Sequence, residues 1–410
     1  MRRRTCTAAA VAALLVLATG GQAVATAAAQ PGGPQVYEVT GAATAQQRTE
    51  VARTGADILD ADGGTTTIIA NPAEAAQLRA LGFGVKALGE VNRPQGAAAA
   101  ADFPAGYTGY HTYAETQTEL QKTVANYPTL AKLGSAGNSY EGRALSLIKI
   151  SDNAGTDENE PEVLFTCNQH AREHLTTEMC LHIVQRLTSG YATDSAIKRL
   201  VDSTEIWVIP SVNPDGSEYD ISGGTFHSWR KNRQGPGTDT NRNWGYQWGC
   251  CGGSSGSTSS ETYRGTAAFS APETRAVSNW VNSRVVGGVQ QIKTHIDFHT
   301  YSELVLWPFG YTYADTAPGL SAAEAQKFQT LGKQMAATNG YTPEQSSDLY
   351  ITDGSVNDWM WATHKIWSFT FEMYPKGSSP GFYPRDTQIV PQTTRNDQAV
   401  DILINAAITG

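Results

Sequence analysis

From Tyr107 to the C-terminus, short runs rich in Ile, Val and Phe alternate with longer stretches that carry a helical pattern. Strands are predicted at 144–151, 162–167, 205–212, 294–299 and 367–373, and helices at 114–126, 173–188, 272–284, 322–338 and 396–407. Several of the strand runs lack a polar alternate, as expected of strands buried on both faces beneath helices. An α/β architecture follows. Ser270 with Glu273 and Ser321 with Glu324 fit capping boxes and mark two helix starts. No internal repeat competes with this reading.

Two flanking segments differ from this body. Arg2, Arg3 and Arg4 precede an apolar run at 8–18, and small residues follow to Ala29. That is the three-part pattern of a secretory signal peptide, assigned to residues 1–29. The run falls short of the ~20 residues that span a bilayer, and no later segment is long and apolar enough, so export is expected without a membrane anchor. Residues 30–101 form a second unit, with strands at 36–40, 65–70 and 83–88 and helices at 45–54 and 72–81. It reads as a β-α-β-α-β module ending in Pro94-Gln95-Gly96 and the alanines 97–101, a soft tether. A removable pro-segment and a permanent binding domain both fit such a module. The body is 102–410.

Composition narrows the partners. Thirty Lys plus Arg against 39 Asp plus Glu give a net charge of -9, the wrong sign for a chain that neutralises phosphates. Nucleic acid is not an expected partner. After loss of Cys6 with the signal, Cys167, Cys180, Cys250 and Cys251 remain, an even number suited to disulfides in an oxidising compartment. Their spacings match no four-cysteine zinc pattern. Adjacent cysteines close only a tight ring, so Cys250 and Cys251 are expected to have separate partners, or one to stay free.

Chemistry enters where the run 162–167 ends in Asn168-Gln169-His170-Ala171-Arg172-Glu173. An imidazole and a carboxylate three residues apart at a strand's carboxyl end can face one ion, and open α/β sheets bind ligands at that edge. Catalytic zinc takes three His or carboxylate ligands and leaves one position open. His299, at the tip of the strand 294–299, is the best third ligand, whereas His295 in the same strand reads as a hydrogen-bonded sheet histidine. In 367–372 the aromatics Trp367, Phe369 and Phe371 face one way, and Ser368, Thr370 and Glu372 the other. A glutamate ending such a strand suits a general base beside a metal site. Gly252-Gly253-Ser254-Ser255-Gly256 formally fits a serine-hydrolase motif, but no strand leads into it.

His170-Ala171-Arg172-Glu173, Trp229-Arg230-Lys231-Asn232-Arg233, Asp239-Thr240-Asn241-Arg242-Asn243-Trp244, His299-Thr300-Tyr301-Ser302 and Phe369-Thr370-Phe371-Glu372 occur in the order and spacing of a known family. Over about residues 102–410 the chain resembles the zinc carboxypeptidases of the carboxypeptidase A type, particularly the secreted bacterial carboxypeptidase T branch, whose Gly249-Cys250-Cys251-Gly252-Gly253 stretch it shares. The resemblance implies a mixed parallel and antiparallel twisted sheet flanked by helices on both faces, and an inhibitory pro-segment at 30–101. It also implies zinc held by His170, Glu173 and His299, with Asp239 orienting the first histidine. Glu372 would be the general base and Arg230 the oxyanion partner. Asn241 and Arg242 would grip the substrate's terminal carboxylate, Tyr350 would close over substrate, and Arg172 would serve the next subsite.

By the same resemblance Leu306, Gly310, Ser355, Asn357 and Thr370 wall the pocket for the terminal side chain. Its base is neutral, so hydrophobic or neutral termini are expected to be preferred, although Asp353 stands close in sequence. The acidic stretch Asp157-Glu158-Asn159-Glu160-Pro161-Glu162 is a candidate for structural calcium, because related bacterial enzymes include calcium-stabilised ones. The expected protein is a secreted, monomeric enzyme acting on peptide or protein C-termini. An enzyme of the same fold that trims cell-wall peptides is the alternative.

Overall fold

A computed structural model describes residues 33–62, 64–90 and 103–410. The predicted signal peptide and the tether 94–101 lie outside the described residues.

The N-terminal module runs from Gln35 to Glu90. Its antiparallel sheet has the order Asp57–Asp62, Thr65–Ala70, Gln35–Thr40, Gly84–Glu90. Helices Ala45–Arg53 and Pro72–Ala80 cover it, each opened by a capping box, Thr44 with Gln47 and Asn71 with Glu74. Val39, Val51, Ile68 and Leu78 are fully buried between the layers. The expected module lacked one strand, Asp57–Asp62. Its three aspartates have low strand propensity, and it is held by pairing with Thr65–Ala70 in a tight hairpin.

The body is built on an eight-stranded mixed sheet. Its order is Thr342–Gln345, Leu304–Trp307, Trp367–Met373, Ile292–Thr300, Glu162–Cys167, Glu205–Ile209, Ala144–Ile150, Ala131–Asn138. The four central strands, Trp367–Met373 through Glu205–Ile209, are mutually parallel. Their carboxyl ends therefore open at one edge. On one face, Phe165, Phe298 and Phe371 pack with Met179, Phe328 and Leu403 from helices His174–Gly190, Ala322–Asn339 and Asp397–Thr409. On the other, Leu147, Leu164 and Ile209 meet Val277, Val281 and Met360 from helices Pro272–Ser283 and Val356–His364. Among the described residues no helix is long and apolar enough to cross a membrane.

The five predicted strands and five long helices of the body are present, with ends shifted by a few residues. Three further strands of the main sheet, Ala131–Asn138, Leu304–Trp307 and Thr342–Gln345, escape the pattern. Ala131–Asn138 contains Gly134 and Gly137, and Thr342–Gln345 contains Pro343, residues that strand interiors avoid but sheet edges tolerate. Ser321 caps its helix as expected. Ser270 does not. Helix Pro272–Ser283 starts after Ala271, and the Glu273 carboxylate accepts from Tyr140 N–H (2.8 Å) and from the Asn232 amide instead. Asn213 caps a short helix, Pro214–Asp220, its side-chain oxygen accepting from the Gly216 N–H (3.1 Å).

The cysteine expectation is also corrected. Cys167, at its strand tip, bonds Cys180 on the following helix across a Cα separation of 6.3 Å. Among the described residues that buried pairing leaves Cys250 and Cys251 only each other, and they form a disulfide between neighbours.

Candidate functional site

Strand Glu162–Cys167 runs into a bend that starts at Asn168, whose φ of 55° lies in the left-handed region that Asn tolerates. Its side-chain amide faces the carbonyls of His170 (3.1 Å) and Ala171 (3.3 Å), folding the bend back so that His170 and Glu173 point the same way. The neighbouring parallel strand, Ile292–Thr300, delivers His299 to the same point. Glu173 Oε1 lies 2.9 Å from His170 Nδ1, and Glu173 Oε2 lies 2.9 Å from His299 Nδ1. The two Nδ1 atoms are 3.1 Å apart. All three residues are buried, and the candidate ligand atoms lie within 4.8 Å of one another.

The opposite edge of each imidazole is occupied. His170 Nε2 donates to Asp239 (3.0 Å) and His299 Nε2 to Asp297. With those nitrogens carrying hydrogen, both Nδ1 lone pairs turn toward each other and toward a carboxylate, an arrangement that repels itself unless a cation accepts all three. A two-His, one-carboxylate set with Nδ1 donors suits zinc in a catalytic role. Burial would raise the Glu173 carboxyl, but His170 and His299 outweigh it and hold it below its ordinary value. Burial acts in the same sense on Asp239, and Arg230 and His170 hold it well below the carboxylate range.

Glu372 sits beside this cluster. Strand register pairs it directly with His299. Burial pushes its carboxyl up to about 8, with Glu173 and Asp57 adding to the rise and His299 and Arg230 opposing it. Arg230 donates through Nε and Nη2 to Asp239, at 3.2 and 3.0 Å. Arg242 is held rigidly, Nε on the Gly253 carbonyl (2.9 Å), Nη1 on the Asn241 carbonyl (2.9 Å) and Nη2 on the Tyr350 hydroxyl (3.2 Å).

One cavity is lined by His170, Glu173, Arg230, Asn241, Arg242, Leu306, Tyr350, Ser355, Asn357, Thr370 and Glu372. Three expected residues are not on its lining, and one of them is His299, buried behind His170 and Glu173 with its Nδ1 turned to both. Gly310 lies packed against Thr352, where an added Cβ would come 2.2 Å from Oγ1, and its N–H donates to Asp358 (2.9 Å). Arg172 lies beneath the surface, over the Phe382 ring and paired with Glu261 and Asp57. Asp353 is spent elsewhere. Its carboxylate accepts from the N–H groups of Cys251 and Gly253 (3.0 Å each) and from the Ser254 hydroxyl, so it adds no charge to the lining.

Sequence reasoning missed the module's contribution. Asp57, Ile58 and Leu59, from the unanticipated strand, line the same cavity. Asp57 pairs with Arg172 and reaches Arg230 Nη1 at 3.4 Å. Ser302 donates to the Leu59 carbonyl (2.6 Å), Ser260 to that of Gly55 (2.6 Å), and Ile351 N–H to Thr49 Oγ1 (2.9 Å). Tyr350 packs into the module's apolar core. No periodicity in Asp57–Asp62 announces this. Asp297 was missed as well, though its place two residues before His299, on the same strand face, was a usable signal.

Residues 116–399 match the zinc carboxypeptidase family. The chain belongs to the zinc carboxypeptidases. It is 58% identical to the zinc carboxypeptidase of Saccharothrix mutabilis subsp. capreolus over 384 residues, covering 90% of this chain and 88% of that one. It is 32% identical to rat carboxypeptidase A1, covering 70% and 67%. The fold is similar to that of carboxypeptidase A from Helicoverpa armigera, with TM-score 0.74 at 21% identity over 92% of this chain and 98% of that one. This carboxypeptidase is therefore a zinc-dependent peptide hydrolase with the mixed, helix-flanked sheet that the sequence led us to expect.

The acidic stretch of the carboxypeptidase forms two groups. Asp157, Glu162 and Glu205 cluster, but Arg284 pairs with Asp157 (2.8 Å) and Glu162 (2.9 Å), and Lys149 with Glu205 (2.6 Å). Cations of the chain already serve that group. Asp152, Glu158 and Glu160 form the second, more exposed group. Burial raises the Glu160 carboxyl to about 7, aided by Asp152 and Glu158.

Proposed function

We propose that this enzyme is exported, carries residues 30–101 as an inhibitory pro-segment, and removes the C-terminal residue of peptides and proteins, favouring hydrophobic or neutral side chains. The observation that carries the reading is the layout of the cavity, whose lining holds a rigid guanidinium at Arg242, Glu372, and His170 and Glu173, which cluster with His299. An exopeptidase needs such a fixed cation. Arg offers a planar fork matched to a free carboxylate, which an internal peptide bond lacks.

In this reading His170, Glu173 and His299 hold zinc, which when bound lowers the pKa of a coordinated water to roughly 7 and polarises the scissile carbonyl. Asn241 and Arg242 orient the terminal carboxylate, and Tyr350 covers it. Glu372 takes the proton from the attacking water and hands it to the leaving amine, work for which a raised pKa is suited. Arg230 faces the developing oxyanion, a role typically worth about 3 to 4 kcal/mol. Leu306, Ser355, Asn357 and Thr370 receive the terminal side chain, and Arg172 serves the residue before it. Calcium, if held, belongs to Asp152, Glu158 and Glu160, the group without a chain cation.

Support for the pro-segment comes from Asp57. Its carboxylate lies between Arg172 and Arg230 inside the cavity, on the groups assigned to substrate. The test of the whole reading is incubation of the enzyme with a peptide and its C-terminally amidated twin, with and without a zinc chelator. Stepwise loss of residues from the free acid alone, abolished by chelation, is expected. Cleavage of the amidated twin at an equal rate would overturn it. For calcium, addition of the ion raises the melting temperature with zinc held constant, and no rise removes it.

A further inference from the structure

Behind the cavity wall runs an unbroken line of buried polar side chains that the proposed mechanism does not use. It starts at the floor of the terminal-residue pocket, where the Asn357 amide spans Thr370 Oγ1 and Ser368 Oγ, each at 2.7 Å. Ser368 Oγ lies 2.7 Å from His295 Nδ1, and His295 Nε2 lies 2.8 Å from Thr166 Oγ1. Thr166 donates to Asp297 Oδ1 (2.6 Å), and Asp297 Oδ2 accepts from His299 and from the Gln169 amide. The strand registers dictate this line. His295 is paired with Ser368 on one side, and Asp297 with Thr370 on that side and Thr166 on the other. Every member is buried, His295 and Asp297 completely.

Hydrogen accounting fixes the sense of the middle links. Thr166 spends its one hydrogen on Asp297 Oδ1 and must therefore accept from His295 Nε2–H. Burial keeps this imidazole neutral, pulling it down to about 4. Its other nitrogen is then bare and accepts the one Ser368 hydrogen, so the Asn357 amide must turn its NH2 to Ser368 Oγ and its oxygen to the Thr370 hydroxyl for the line to close. A neutral histidine thus offers a donor to Thr166 and an acceptor to Ser368. An apolar residue there would leave Thr166 and Ser368 unpaired in the dry interior.

We propose that His295 is a positioning residue for the carboxypeptidase reaction, propping Asp297 against His299 through Thr166 while fixing the Asn357 amide through Ser368. The metal seat and the pocket floor then share one buried support. The proposal rests on the assignment of His299 as a ligand and of Asn357 as pocket floor.

The test compares three variants with the parent, reading zinc affinity by chelator competition on the full chain and terminal-residue preference on the zinc-loaded holoenzyme. His295→Leu weakens zinc roughly tenfold, at the low end for groups that support a metal-bound histidine. It also shifts the kcat/KM ratio between leucine-ended and asparagine-ended peptides. His295→Gln keeps a donor and an acceptor and restores both properties. Ser368→Ala, which cuts only the pocket branch, shifts the ratio and leaves zinc affinity at the parental value. Unchanged affinity and ratio in a folded His295→Leu protein would overturn the proposal, as would losses that His295→Gln fails to restore. Should His295→Leu not fold, the other two variants decide by the same criteria. A parent chain that binds no zinc, or that ignores free-acid termini, would instead sink the site assignment itself.

Discussion

Glu372 and His299 are direct register partners in adjacent parallel strands, so the pair is set by the backbone of the sheet. Side chains alternate faces along a strand, and a slip of one residue would replace Glu372 with Phe371 or Met373 and turn the carboxylate into the aromatic core. The spacing of the proposed base and the proposed ligand is therefore as rigid as the sheet.

That rigidity makes the first prediction sharp. Glu372→Gln keeps the shape and the zinc, measured as one equivalent per chain, while kcat falls by about 10²- to 10⁴-fold, the range for loss of a general base. A variant that still turns over at a tenth of the parental rate removes Glu372 from proton transfer.

Asp57→Asn is expected to loosen the module. Breaking one side of a buried ion pair costs about 3 kcal/mol, and here both Arg172 and Arg230 lose a charge partner. The unprocessed variant hydrolyses a small free-acid peptide at a rate well above that of the unprocessed parent. Equal rates for the two would mean that Asp57 does not contribute to latency.

Preference for the terminal residue turns on Asn357. The Asp353 carboxylate is fully used by the loop around Gly253, so Leu306, Ser355, Asn357 and Thr370, the residues assigned to the terminal side chain, include no anion to meet a basic one. Asn357→Asp raises kcat/KM for Lys- and Arg-ended peptides relative to Phe- and Leu-ended ones by about tenfold, the scale of one newly placed charge-assisted bond. A parent enzyme that already favours Lys or Arg contradicts the pocket assignment.

Glu74 predicts a pH effect. Burial lifts its carboxyl from 4.5 to about 7, with Glu261 and Asp57 adding and the Asn71 N–H opposing. The folded chain thus keeps a proton that the unfolded chain releases, and the contribution of Glu74 to stability is greatest below about pH 4.5, declining as pH rises to about 7 and levelling beyond it. Glu74→Gln retains the cap on Asn71 and flattens this decline in melting temperature, by the equivalent of a few kcal/mol. Parallel pH curves for the two proteins would count against it.

Much of the architecture was legible because the central strands are hydrophobic on both faces and the long helices strongly patterned. His170, Glu173, His299 and Glu372 could be read for the same reason, since each terminates or follows one of those strands. What escaped was whatever depends on distant pairing. Strand Asp57–Asp62 has the composition of a loop, yet hairpin partners hold it in the sheet. Ser270 fits a cap by spacing, but Tyr140 and Asn232, far away in sequence, claim Glu273 first. Gly310 aligns with a pocket wall, while packing against Thr352 keeps it off the cavity lining.

Two guanidinium groups, those of Arg172 and Arg230, answer to Asp57 before they meet any peptide. On the proposed assignment, neither can be retuned for a different substrate without also changing how firmly residues 30–101 hold the cavity shut, so appetite and dormancy share one pair of side chains.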